Sequence, residues 1–343
     1  MDKKVIIIFI FLFTLSNSFY SQSTFQKTIS SPEDQVINCV TEDDNGNFIL
    51  VGRNYPIGLD IVCGYLLRIN STGDLIDEIV LDTTQGSSIM FNVHFFKDSL
   101  FLLGSKYIDS INCQLFYLKL DKNLVKADEK YLDIPANQWF SYMNSIIDSD
   151  SNIVITGYTS RWDTVSPFLN DDVFFYKLSL AGDSLNSKFI RSDFILSFSF
   201  DILEKSDQSG YYSYGFKYSN TPGEGGERFD LSKQFDSIDV MSVPQDIEYY
   251  MSPEWLNDSI IIMSGKGYST GIPNYSLRVL TTTIENTPID DNYFIMEGDI
   301  PGHPAMYQGL SIYDDNIYVG GTSNFNYANP FFSTSDSWFH LIK

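Results

Sequence analysis

The chain has 343 residues, 43% of them hydrophobic, with 22 Lys and Arg against 44 Asp and Glu. That apolar content supports a large core and excludes an intrinsically disordered chain. A net charge of −22 argues against nucleic-acid binding and against docking on an anionic membrane, both of which need a basic face; it reads most simply as a device for solubility.

Residues 1–21 read as a secretory signal. Lys3 and Lys4 give a basic start, Val5 to Leu15 is nearly all apolar, and Ser16, Asn17 and Ser18 are small. The apolar run is too short to span a bilayer as a helix, and cleavage is expected after Ser18 or Ser21. No cysteine lies in the cleavage region, so a lipid anchor is not expected. The mature chain is expected to be secreted, periplasmic or at the cell surface, with no transmembrane segment. Residues 22–343 read as one domain. Its three cysteines, Cys39, Cys63 and Cys113, leave at least one thiol free and match no zinc spacing. A Cys39–Cys63 bridge is an alternative to the simpler reading, small buried side chains in strands.

Thr24–Ser30 is a short alternating segment that looks like a strand without a local partner. A repeat follows. The stretch Asp43–Gly52 is a polar turn, a short apolar run and a closing glycine. It recurs at Lys97–Gly104, Ser151–Gly157, Gly210–Gly215, Asp258–Gly265 and Asp315–Gly321, with closing glycines 50 to 58 residues apart. A period of this length means a solenoid, a propeller or an array. In the first repeat, strands are predicted over 36–41, 48–52, 65–69 and 76–81, separated by turns rich in Asn, Asp, Gly and Ser. The third strands share an apolar run with one basic residue: Arg68, Lys119, Lys177, Arg278 and Lys343. The fourth repeat departs from this, with Asp230 in Phe229-Asp230-Leu231.

The last repeat supplies only three strands before Lys343, and Thr24–Ser30 can provide the fourth. The fold class is therefore read as all-β, a six-bladed β-propeller with four-stranded blades over 36–82, 89–134, 139–190, 194–245, 247–296 and 305–343 plus 24–30. Such closure removes exposed strand edges. A seventh blade has no marker pair. An open β-solenoid would not explain a three-stranded end that matches a one-stranded start.

With these motifs the chain resembles secreted bacterial β-propeller repeat proteins, which often carry a type IX secretion sorting domain. The resemblance covers roughly residues 24–343 and is specific for architecture. The sorting domain is absent here, which leaves periplasm or soluble export beside surface display. The resemblance implies little about activity.

In a propeller the first strands line the central channel. Three of them carry an amide at one apparent level, Asn38, Asn92 and Asn144, and Gln308 matches the position. These could bind a ligand or simply satisfy one another. The loops after the second strands bring Tyr55, Trp162, Tyr218 and Tyr327, whose flat faces and polar edges suit sugar rings or peptides. The acidic turns at Asp43–Gly46, Asp148–Asn152 and Asp314–Asn316 raise Ca2+, but hairpin turns want Asp, Asn and Gly in any case, so no metal or other cofactor is expected. His94, His303 and His340 lie in three separate contexts, and no nucleophile elbow, HExxH pattern or phosphate loop occurs. The main expectation is an exported, monomeric, non-catalytic propeller that binds a carbohydrate, peptide or protein partner through its loop face. The alternative is a polysaccharide-active propeller enzyme, a glycosidase or lyase, using loop carboxylates. A spacer within a surface assembly is the third reading.

Overall fold

The structure is a computed structural model that describes residues 34–56, 61–81, 86–108, 113–134, 138–161, 170–191, 196–218, 225–243, 247–267, 276–294, 305–313, 316–324 and 335–342. The expected signal segment and the strand Thr24–Ser30 lie outside them. The described chain is strands and turns, without a helix.

Six antiparallel sheets follow one another. Sheet 1 holds β1 (Asp34–Glu42), β2 (Phe48–Tyr55), β3 (Cys63–Ile69) and β4 (Leu75–Val80). Sheet 2 holds β5 (Ser88–Phe96), β6 (Ser99–Tyr107), β7 (Cys113–Asp121) and β8 (Lys126–Asp133). Sheet 3 holds β9 (Gln138–Ile147), β10 (Asn152–Arg161), β11 (Asn170–Ser179) and β12 (Ser184–Ile190). Sheet 4 holds β13 (Leu196–Glu204), β14 (Gly210–Tyr218), β15 (Gly225–Ser232) and β16 (Ile238–Ser242). Sheet 5 holds β17 (Ile247–Asn257), β18 (Ile260–Gly267), β19 (Ser276–Thr283) and β20 (Pro288–Phe294). Sheet 6 shows three strands among the described residues: β21 (Ala305–Tyr313), β22 (Asn316–Asn324) and β23 (Ser335–Ile342).

Each sheet is a meander, and its first strand touches the first strand of the next sheet. The core is a series of layers between sheets. Ile49, Val51, Leu66, Met90, Leu102 and Phe116 fill the gap between sheets 1 and 2. Phe101, Leu115, Phe140, Ile155 and Phe174 do so between sheets 2 and 3. Second and third strands are covered on both faces, which is why they read as unbroken apolar runs. All seven residues of β3 are buried, whereas the outer strand β4 is almost wholly exposed.

The closing glycines have a specific cause. In sheet 1 the register pairs Ile37 with Gly52, skips Asn38 and resumes at Cys39 with Val51. The same bulge follows the partner of Gly104, Gly215, Gly265 and Gly321, skipping Phe91, Phe200, Met251 and Gln308. In sheet 3 it falls at Ser141. The bulge bends the inner strand and drives its backbone onto the second strand. A Cβ on Gly52 would stand 1.8 Å from the Val36 carbonyl oxygen, and one on Gly215 1.8 Å from that of Phe198. No side chain fits there.

Neighbouring sheets are joined by one recurring bond. A long side chain on the third strand donates to a carbonyl in the outer turn of the next sheet. Arg68 reaches Lys122 O at 2.6 Å, Tyr117 reaches Leu180 O at 2.7 Å, Lys177 reaches Lys233 O at 3.5 Å and Arg228 reaches Ile284 O at 2.5 Å. Arg68 and Lys177 also pair with Asp43 and Asp148, which cap their own sheets' first turns. Sheet 4 reverses this charge pair. Lys205 takes the turn position and Asp230 the strand position, and the two form an ion pair. The Asp230 departure is thus a compensated swap. The expected alignment of Arg278 with Arg68 is corrected by register. Arg278 pairs with Gly265, and Thr281, opposite Ile262, holds the position equivalent to Arg68 opposite Ile49.

All three cysteines are free thiols, Cys63 and Cys113 buried, so the Cys39–Cys63 bridge does not form. If the inner-strand carbonyl dictates the glycine, Gly52→Ala should lower unfolding free energy by about 1–3 kcal/mol. Gly225→Ala, whose Cβ would meet nothing within 4 Å, should change it by less than about 0.5 kcal/mol. Equal effects in urea melts would reject the packing argument.

Candidate functional site

The inner-strand bulges place one residue of each sheet at a common level, directly after the bulge and opposite the residue before the closing glycine. Register names them as Cys39, Asn92, Asp201, Ser252 and Gly309, with Asn144 at the matching point of sheet 3. This corrects the predicted amide ring. Asn92 and Asn144 belong to it, but Asn38 and Gln308 sit on the bulges themselves. Asn38 instead donates to Met90 O at 2.6 Å, tying β1 to β5.

Half of the ring is self-satisfied. The Cys39 thiol donates to Asn92 Oδ1 at 3.6 Å, and Asn92 donates to Asn144 Oδ1. Asn144 Oδ1 also accepts the Ser145 N–H at 2.7 Å. Burial lifts the Cys39 pKa to about 11, which leaves an inert thiol. His94, next along β5, contacts the Ser145 hydroxyl at 2.8 Å; burial pushes its pKa down to about 4, so it is a neutral packing partner.

The other half carries carboxyl groups. Asp201 lies on β13, accepts the Ile202 N–H at 2.8 Å and the Ser252 hydroxyl at 3.1 Å, and is 8% exposed. Glu254 follows Ser252 by two on β17, with no register shift between them, so both project from the face whose Ser252 hydroxyl meets Asp201. Burial raises the Glu254 pKa. Burial also raises that of Asp201 well above the usual carboxylate range, against the two hydrogen bonds it accepts, and the Glu254 charge adds to the rise. Both carboxyls therefore resist ionisation, and a charge on Glu254 opposes a charge on Asp201. Two carboxyls in different protonation states can give and accept a proton across one substrate bond.

Neither acid was singled out from the sequence. The available signal was a carboxylate inside an apolar inner strand, Phe198-Ser199-Phe200-Asp201-Ile202, where solvation is lost. The other buried acids have structural work. Asp148 sits with Lys177 at 3.1 Å and accepts the Tyr211 hydroxyl at 2.7 Å. Burial would raise its pKa, but hydrogen bonds and Lys177 hold it low. Asp43 accepts the Asn45 and Asn47 N–H groups and caps its turn. Among the described residues no acidic cluster has the makings of a metal site.

Of the predicted loop aromatics, Tyr55 is at the end of β2, partly exposed beside the Arg53 guanidinium. Tyr218 ends β14, its side chain outside the described residues. Trp162 and Tyr327 lie outside them altogether, as does the turn at Asp314–Asp315.

No protein-family model and no curated protein matches the chain. Solved structures do. The GH93 α-L-arabinofuranosidase of Fusarium graminearum superposes with a TM-score of 0.55 at 10% identity, over 88% of this chain and 91% of that one. The N10 neuraminidase-like protein of A/little yellow-shouldered bat gives 0.49 at 10%, over 91% and 95%. Pyrococcus horikoshii acylaminoacyl peptidase gives 0.49 at 9%, over 85% of this chain but 44% of that one, so the chain spans under half the peptidase. With the arabinofuranosidase as neighbour, the succession of four-stranded meanders around inner strands is a β-propeller. The same neighbour corrects the main functional expectation. The fold it shares is that of a glycoside hydrolase, and this favours the alternative enzyme reading over a non-catalytic binder.

The protonation of Asp201 has a measurable sign. Unfolded, its carboxyl titrates near about 3.9; folded, well above. The native state therefore binds an extra proton between the two values. Stability from this group is full below the unfolded value and is lost as pH rises through the folded one. Asp201→Asn escapes that loss, so its melting temperature relative to the parent should climb as pH rises above about 4. A difference independent of pH would mean that Asp201 is ionised and solvated.

Proposed function

We propose that the chain is an exported six-bladed β-propeller that hydrolyses glycosidic bonds, with Asp201 and Glu254 as its carboxyl pair. The observation that carries this is the placement of two desolvated acids on adjacent inner strands, one inside the channel ring and one beside it. The arabinofuranosidase fold adds support.

A negative charge on Glu254 favours the protonated form of Asp201. Asp201 is then the general acid, giving its proton to the departing glycosidic oxygen. Glu254 is the carboxylate that either draws a proton from water or attacks the anomeric carbon. Ser252 donates to Asp201 Oδ2 and orients the carboxyl. The neutral amides Asn92 and Asn144 complete a wall with hydrogen-bonding edges suited to sugar hydroxyls. In this reading the missing fourth strand of the last blade is Thr24–Ser30, which closes the ring, and residues 1–21 direct export.

The test is release of reducing ends from a panel of arabinans, other plant and microbial polysaccharides, and aryl glycosides. Asp201→Asn and Glu254→Gln should each lower kcat by about 100-fold or more. The acid limb of the pH profile should disappear in Glu254→Gln. Turnover that survives both substitutions rejects the residue assignment; no turnover on the whole panel rejects the hydrolase. Ring closure is tested by deleting Thr24–Ser30, which should lower Tm by about 5 °C or more. An unchanged Tm rejects the closure.

A further inference from the structure

A cleft of about 540 Å3 opens between sheets 1 and 2, at the loop end of β2 and β6. Val62, Ile89, Tyr55 and Tyr107 are among its lining residues. Its walls are tied together. Ser87 Oγ accepts the Val62 N–H at 3.1 Å, Ser88 donates its N–H to Val62 O at 2.7 Å, and Tyr107 donates its N–H to Ser87 O at 2.8 Å. Tyr107 OH reaches Phe140 O at 3.5 Å and so binds the cleft to sheet 3.

Arg53 lines this cleft. In a chain with twice as many acids as bases, cations find carboxylates readily. Arg68 pairs with Asp43 and Asp77, Lys177 with Asp148, and Lys233 with Asp150 and Glu204. Among the described residues no carboxylate pairs with Arg53. Its guanidinium stands 5.5 Å from the Tyr55 ring centre, and its Nε is buried with no hydrogen-bond partner. A planar fork of donors held beside an aromatic ring, in a cleft that apolar side chains also line, matches a ring that carries a carboxylate.

We propose that this cleft binds a uronic acid residue of an acidic polysaccharide, with Arg53 on the carboxylate and the Tyr55 and Tyr107 faces against the sugar. An acidic peptide offers the same carboxylate but no rigid ring to pack against the tyrosines that line the cleft. That the bound polymer is also the substrate rests on the hydrolase reading; the binding itself does not.

The experiment is calorimetric titration of the full chain with a galacturonate oligosaccharide, its methyl ester and a glutamate-rich peptide. Saturable binding of the galacturonate is expected, with the ester weaker by about tenfold or more. Arg53→Gln should abolish that preference and Tyr55→Ala should weaken binding, with each variant's Tm checked against the parent. Arg53→Lys, which keeps the charge without the fork, should fall between. Equal binding of the ester, an unchanged affinity in Arg53→Gln, or no binding of galacturonate overturns the proposal. A peptide that binds as tightly overturns the sugar class. If the parent binds galacturonate but turns over no acidic polysaccharide, the cleft stands and only its link to hydrolysis falls.

Discussion

The contact between an inner-strand carbonyl and the Cα of a facing glycine governs the architecture. Backbone presses on backbone at Gly52, Gly104 and Gly215, closer than any side chain permits. The bulge beside this contact turns each first strand, and the turned strands line up next to one another around an axis. From it follows the level at which Cys39, Asn92, Asn144, Asp201 and Ser252 meet. A fold assembled this way has an interior ring whose members come from segments about fifty residues apart, each delivered by the same local geometry.

Around that centre the sheets are held by apolar layers and by one polar device used repeatedly. A third-strand side chain reaches the outer turn of the next sheet in four successive interfaces. The partner carbonyls belong to tight turns whose backbone has no other use for them. Arg68 and Lys177 gain from the arrangement twice, since each also meets the acid that caps its own first turn. The reversal at Lys205 and Asp230 shows what is constrained. The pair must be complementary, and which strand carries the positive charge is free.

The channel wall is divided by chemistry. On one side thiol and amides satisfy one another, so nothing is left over for a proton transfer. On the other, Asp201 has two donors but little solvent, and Glu254 lies on the first strand of the next sheet. Desolvation with partial satisfaction is a strained condition for an acid, and a stability-driven sequence would place an amide there, as it does at Asn92 and Asn144. The presence of a carboxyl at that level is what points to chemistry.

The chain's local grammar was legible in its residues: all-β content, the fifty-residue period, turn chemistry at Asp43 and Asp148, and the apolar second strands. These depend on contacts within a few residues or within one hairpin, which alternation and turn composition report directly. The ring was misread at Asn38 and Gln308 because a bulge adds one residue without changing the pattern on either side, so Cys39 and Gly309 took the places. Arg278 was misaligned for the same kind of reason, a slip of three along a strand that keeps the same composition. The contact of Asp201 with Ser252, the Lys205–Asp230 reversal and the lack of a carboxylate partner for Arg53 among the described residues were decided by tertiary structure. Each depends on which face of one sheet meets which face of the next, and that relation is set by strand register and bulge position rather than by any order of residues along the chain.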